Sequence, residues 1–204
     1  MPEKSATAAV NIAARIEQLL RSVRAPALAP FLADWPRSSR QRSIPASGLP
    51  VLRWLPQLAG DSAAFAADLV AAVCEAAPSL AWRQTYTAND VDRAFLDNYG
   101  WSEILGTNGP LSSERIACGF LILGPSTHYP RHRHEAEEVY LPLRGTAAWQ
   151  QGDAVWRERP PGTPIHHAGD EPHAMRTGAG PLLALYLWRS EDLAQKARLD
   201  RAAR

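Results

Sequence analysis

Residues 128 to 145 read HYPRHRHEAEEVYLPLRG, with three histidines, three glutamates and two tyrosines in eighteen positions. Side chains on a strand alternate faces with period two, so His132 and His134 project to the same side. After a short turn through Glu135 and Ala136, the next strand sets Glu138 and Tyr140 on one face, with Glu137 and Val139 on the other. Folded as a hairpin, the two segments gather His132, His134 and Glu138 around one point, with Tyr140 beside it. Two imidazoles and a carboxylate suit one borderline divalent transition ion: zinc, iron, manganese, cobalt or nickel. GDEPHAMRTG, further along, offers His173 as a fourth ligand just after a tight turn. Ligands from two hairpins leave one or two positions open for a small-molecule substrate. His166 and His167 match no ligand spacing and are expected in structural roles, while His128 and Glu137 are expected at the surface.

The elements that must position this cluster divide the chain in two. Ile12, Ile16, Leu19, Leu20 and Val23 form one stripe of an amphipathic helix that ends before Pro26. A second helix is predicted from an N-cap at Asp61 through Phe65, Leu69 and Val73 to Pro78. A third carries Val91, Phe95 and Tyr99 from a cap at Asn89 to Gly100. The Pro-, Ser- and Arg-rich stretch between the first two reads as an irregular connection, and with the helices around it is expected either to cover the barrel mouth as a lid or to serve as a dimerisation arm or pack against the barrel's outside. After residue 110, IACGFLIL, EVYLPLRG, AAWQQGD, AVWRERPPG, TPIHH and PLLALYLW are six candidate strands spaced as in an antiparallel sandwich or small barrel. The expectation is a mainly β protein: a helical extension over residues 1–109 packed on an antiparallel jelly-roll barrel over 110–204. All six histidines fall in the second half.

Composition narrows the classes. With 204 residues, 46% hydrophobic and a formal net charge of +1, the chain has material for one sizeable core and no electrostatic footprint for nucleic acid. The N-terminus has no long apolar signal core and no stretch reaches membrane-spanning length, so a cytoplasmic protein, monomer or homodimer, is expected. Cys74 and Cys118 lie in apolar contexts without CxxC spacing and read as buried free thiols.

The spacing of His132, His134, Glu138 and Gly145 resembles the first motif of the cupin superfamily, and Gly169 to His173 resembles its second. APSLAWRQTY, FLDNYGW, GFLILGPSTHYPRHRHEAEEVYLPLRGTAAW, HHAGDEPHAMRT and PLLALYLW together resemble the cupin dimethylsulfoniopropionate lyases of the Q type, over roughly residues 78 to 190. The resemblance implies a metal held by His132, His134, Glu138 and His173, Tyr140 at the metal as base, Tyr129 as a second active-site tyrosine and Trp188 lining the pocket. It implies β-elimination of dimethylsulfoniopropionate to dimethyl sulfide and acrylate, with Trp188 and Tyr129 offering aromatic faces to the sulfonium. Two rival classes share the ligands. A non-haem iron dioxygenase would require oxygen, and a non-catalytic metal-binding cupin would tolerate loss of Tyr140.

Overall fold

The computed structural model describes residues 2–60 and 63–200 of the chain. Its helices are α1 (Pro2–Val23), α2 (Ala29–Ala33), α3 (Leu55–Ala59), α4 (Ala67–Ala76) and α5 (Arg93–Asp97). Its strands are β1 (Trp82–Arg83), β2 (Tyr99–Gly106), β3 (Leu111–Ser112), β4 (Ile116–Leu123), β5 (His128–Arg133), β6 (Glu137–Arg144), β7 (Ala147–Gln151), β8 (Arg157–Arg159), β9 (Ile165–His167), β10 (His173–Thr177), β11 (Leu182–Arg189) and β12 (Arg198–Leu199). They form two sheets. One runs β1-β2-β4-β11-β6-β9 with β3 on β2, and the other runs β12-β5-β10-β7-β8. Every pairing is antiparallel except β2 with β3. This is the expected antiparallel jelly-roll barrel with an N-terminal helical extension, and the six candidate strands lie in β4, β6, β7, β8, β9 and β11.

The larger sheet is buried on both faces, and that explains its sequence. One core packs Ile12, Ile16 and Leu20 of α1 and Val70 and Val73 of α4 against Cys118, Phe120 and Ile122 of β4 and Leu183, Leu185 and Leu187 of β11. The other fills the barrel with Tyr99, Leu121, Tyr129, Tyr140, Trp149, Met175 and Tyr186. A strand covered on both sides loses the apolar-polar alternation of a half-exposed one. Accordingly IACGFLIL is buried at every position.

The helical extension departs from expectation in three places. Asp61, the expected cap, lies outside the described residues, and α4 begins only at Ala67, because Ala66 adopts a left-handed conformation with φ of 54°. Phe65 is thereby left outside the helix, where its carbonyl accepts from Arg144. The third helix is one short turn, α5, capped by Asp92 rather than Asn89; the Asp92 carboxylate accepts from Phe95 N at 2.7 Å. Tyr99 starts β2, so the sheet reaches back across the expected division at 109/110. As to lid or outer packing, α1 packs on α4 and against β2 and β3, on the sheet's outer side. Among the described residues, none before Arg83 lines the cavity in the barrel. The stripe on α1 had a sheet to cover, and an apolar face is drawn to the larger apolar surface. No helix among the described residues is long and apolar enough to cross a membrane.

Gly145 closes the tight connection from β6 to β7 with φ of 75°, and a Cβ there would stand 2.0 Å from the Pro181 carbonyl oxygen. Both the left-handed backbone and the contact exclude a side chain. Gly145→Ala is expected to cost about 2–4 kcal/mol of stability, measured as a lower urea midpoint at unchanged slope.

Candidate metal centre

β6 and β11 run in register, setting Tyr140 opposite Tyr186 and Glu138 opposite Trp188. From the facing sheet, β10 brings His173 opposite His132 of β5, and His134 follows at the start of the turn. Among the described residues, one group offers ligand atoms all within 4.8 Å of one another: His134, Glu138 and His173, all buried. His132 is buried and faces the cavity. It stacks on Tyr129 at 4.1 Å between ring centroids and meets His173 edge-on at 4.2 Å, outside that group.

The ring orientations are fixed from behind. His132 Nδ1 lies 2.8 Å from the Pro130 carbonyl, His134 Nδ1 3.0 Å from that of Ala136, and His173 Nδ1 2.9 Å from that of Glu171. A carbonyl only accepts, so each Nδ1 carries a hydrogen, and in a neutral ring Nε2 keeps its lone pair. The Nε2 atoms of His134 and His173 come 2.9 and 3.2 Å from one oxygen, Glu138 Oε2, and a protonated His134 donates to it. The His173 contact is not aligned as a hydrogen bond, which leaves its Nε2 buried without a partner. Unprotonated nitrogens converging on a carboxylate oxygen repel it, so the donor set calls for positive charge among the three groups, from a proton on His134 or from a bound cation. Glu138 Oε1 is occupied separately, accepting from Trp188 Nε1 at 2.7 Å. That bond turns Oε2 toward the histidines, an outer partner of the sort that orients metal ligands.

Burial opposes the Glu138 charge, yet His134 and His173 hold its carboxyl well below the usual range. Burial alone would lower His134, but Glu138 outweighs it and the net shift is upward. Burial, and then the neighbouring His173, push His132 well below the ordinary imidazole range. The Tyr140 phenol is raised well above its ordinary value by burial and by the Glu138 charge. Tyr129 is raised by burial and by Tyr86 and Tyr99, whose hydroxyls each lie 3.3 Å from its own.

The centre opens into a cavity of about 380 Å³ whose lining includes Tyr129, His132, Glu138, Tyr140 and Trp188. Trp188 also rests on His134, with ring centroids 4.2 Å apart. Of the residues expected in structural roles, His167 is fully buried, stacks on His173 at 4.0 Å and has no hydrogen bond on either ring nitrogen. Burial, then His173, lower it to about 2, so its ring is neutral. His166 bonds Glu137 at 2.8 Å, and Arg189 pairs with the same carboxylate at 3.0 Å, so Glu137 is tied into an ion pair as well as turned outward. His128 is exposed beside Trp156, and both cysteines are free.

Sequence reasoning missed two parts of this cavity. Trp101, Glu103 and Tyr186 line it, and for Tyr186 the period-two pairing with Trp188 was a usable signal. Residues 193–197 also line it. Gln195 Oε1 accepts from the backbone N–H groups of Glu135 at 2.6 Å and Ala136 at 3.3 Å, hooking this segment onto the turn that carries His134. Asp200 anchors it further on through Arg131 and Arg133, at 3.0 and 2.7 Å. Contacts this distant in sequence leave no local pattern to read.

A profile of the dimethylsulfoniopropionate lyase family matches residues 22–184. Dimethylsulfoniopropionate lyase DddQ of Ruegeria pomeroyi is 34% identical over 110 residues, which are 54% of this chain and 55% of that protein. The chain thus spans about half the length of the curated relatives it matches. The crystal structure of DddQ from Ruegeria pomeroyi DSS-3 superposes with a TM-score of 0.84 at 30% identity, covering 95% of this chain and 96% of that one. A structure from work on the lyases RdDddP and RnDddQII gives a TM-score of 0.85 at 30% identity, over 98% of this chain and all of the other.

Elemental analysis is expected to find about one divalent transition ion per chain, largely lost in His134→Ala and in Glu138→Ala and nearly unchanged in His167→Ala. Trp188→Phe, which removes the bond to Glu138 and part of the ring resting on His134, is expected to weaken metal affinity by roughly 10- to 100-fold in a chelator competition.

Proposed function

The chain belongs to the dimethylsulfoniopropionate lyase family, and from that premise we propose that it cleaves dimethylsulfoniopropionate to dimethyl sulfide and acrylate with a divalent transition ion as cofactor. His134, Glu138 and His173 hold the ion, and His132 presents its second nitrogen from the cavity wall. Imidazole and carboxylate donors suit iron, zinc, manganese, cobalt or nickel. The observation that carries the reading is the placement of Tyr140. Its phenol is buried in the cavity wall two residues along the strand from Glu138, with its ring centroid 6.3 Å from that of His173.

When bound, a divalent ion supplies positive charge beside Tyr140 and the substrate carboxylate, favouring the phenolate and the charge that develops as the α-carbon is deprotonated. Tyr140 accepts the α-proton. The electron pair released at the α-carbon forms the carbon-carbon double bond as the bond from the β-carbon to sulfur breaks, and dimethyl sulfide leaves with the sulfur electron pair. Tyr129 orients the substrate. Its ring is clamped on His132 and its hydroxyl is shared with Tyr86 and Tyr99, which fixes the wall opposite the reacting carbons. The cavity's aromatic lining limits water around the base, where free solvent would compete for the proton.

Tyr140→Phe keeps the ring and its packing but removes the proton acceptor. Headspace release of dimethyl sulfide is expected to fall by about two orders of magnitude or more, with metal content retained and the parental rate independent of oxygen. Tyr129→Phe is expected to be milder. Release at the parental rate from a metal-replete Tyr140→Phe protein would remove Tyr140 as the base.

A further inference from the structure

The larger sheet carries a row of residues in register across four adjacent strands: Tyr140 on β6, Tyr186 on β11, Gly119 on β4 and Glu103 on β2. Gly119 has no side chain, and a Cβ there would come 2.0 Å from the Ser102 carbonyl oxygen, so β2 lies close over it. Just beyond, the β2 register shifts between Glu103 and Leu105, the kind of bulge that re-aims a side chain. Trp101, two residues before Glu103, meets Tyr186 edge-on at 6.4 Å. Its indole is held in place because Nε1 donates to Thr85 Oγ1 at 3.1 Å. Glu103, Trp101 and Tyr186 all line the cavity.

Glu103 is only 7% exposed, and burial raises its carboxyl, against the pull of the Asn108 and Gly109 backbone N–H groups and of Arg42. Those two N–H groups bond one oxygen, Oε1. Among the described residues no cationic side chain forms a salt bridge with it. Arg42 instead spends its guanidinium on the carbonyls of Gly106, Thr107 and Gly109. A carboxylate kept in a cavity wall without a paired cation is costly unless something else supplies the charge.

We propose that Trp101, Tyr186 and Glu103 form the subsite for the onium end of the substrate, an aromatic corner backed by a buried carboxylate. The inference rests on the lyase reading for its substrate class, a short carboxylate bearing a permanent cation on its β-carbon. A dimethylsulfonium group has no N–H to donate, so it is recognised by aromatic faces and by through-space charge rather than by hydrogen bonds. Glu103 supplies that field from a low-dielectric wall, where it acts over a longer range than in water. The faces expected to serve are partly engaged: Trp188 rests on His134 and donates to Glu138, and Tyr129 is stacked on His132. With the carboxylate end at the metal centre, the row from Tyr140 to Glu103 sets the direction in which the substrate lies. The other cations on the lining, Arg83 and Lys196, are only partly buried and exposed respectively, so water screens them more than it screens Glu103.

Calorimetric titration of the metal-loaded protein with 3-(trimethylammonio)propionate and with 4,4-dimethylpentanoate, its isostere with carbon in place of the cationic nitrogen, tests this without turnover. The native protein is expected to bind the cation at least about tenfold more tightly. Glu103→Gln retains an acceptor for the Asn108 and Gly109 N–H groups. It is expected to lower affinity for the onium ligand about tenfold, leaving affinity for the carbon isostere, the melting temperature and the metal content near native. Trp101→Leu should narrow the same ratio, and it decides the matter if Glu103→Gln does not fold. Equal affinities in the native protein, or a native ratio kept in both folded variants, would overturn the subsite. A cation preference in a protein that releases no dimethyl sulfide would support the subsite and sink the lyase reading; release without the preference would do the reverse.

Discussion

The antiparallel register of β6 against β11 is the constraint from which the rest of the site follows. With Tyr140 opposite Tyr186 and Glu138 opposite Trp188, one side of the ladder holds the carboxylate that gathers the histidines and the next pair holds the phenol above it. A slip of one residue would turn Glu138 and Tyr140 toward the helix-covered core and bring leucines into the cavity. The apolar demand on the other face prevents that slip. Val139, Leu141 and Leu143 of β6 and Leu183, Leu185 and Leu187 of β11 all belong to the core beneath α1 and α4. The helical extension therefore contributes to the site from behind, by making the wrong register expensive.

Within that frame, the centre is an instance of charge held where charge is costly. Glu138 is buried, and its ionised form survives there because both oxygens are addressed, one by Trp188 and the other by histidines whose far nitrogens are tied to main-chain carbonyls. Such a carboxylate cannot be left alone in a low-dielectric interior, and the arrangement spares it by converging the histidines on one of its oxygens and Trp188 on the other. The phenol of Tyr140 feels the same field in the opposite sense, since Glu138 disfavours its deprotonation. The two groups are therefore coupled through whatever positive charge lies between them.

Much of this was legible in the sequence because it is local. Period-two alternation placed Glu138 with Tyr140, and the candidate strands followed from β-branched and aromatic runs cut by Gly and Pro. His134, Glu138 and His173 converge as their spacing implied, whereas His132 stands against Tyr129 and His173 instead of within the closest group. What could not be read depends on tertiary partners. Tyr99 continued an apparent helical stripe but was drawn into β2 by pairing with Leu123. The polar segment 25–50 suggested a mobile cover, yet the apolar face of α1 had a large sheet to bury. Gln195 reaches the His134 turn across about sixty residues, and no periodicity records such a contact.

The position of β11 bears on how the barrel comes together during synthesis. β4 and β6 are made first, yet in the finished sheet neither is hydrogen-bonded to the other, because β11, made more than forty residues later than β6 begins, lies between them. Until it arrives the nascent sheet exists as two pieces, one ending in β4 and one in β6, each presenting a bare apolar edge. Unpaired edges of this kind are templates for pairing between chains. The strand that completes the cavity wall is thus also the one that ends the chain's period of greatest exposure to aggregation, and a nascent chain stalled before PLLALYLW would be left with both edges open.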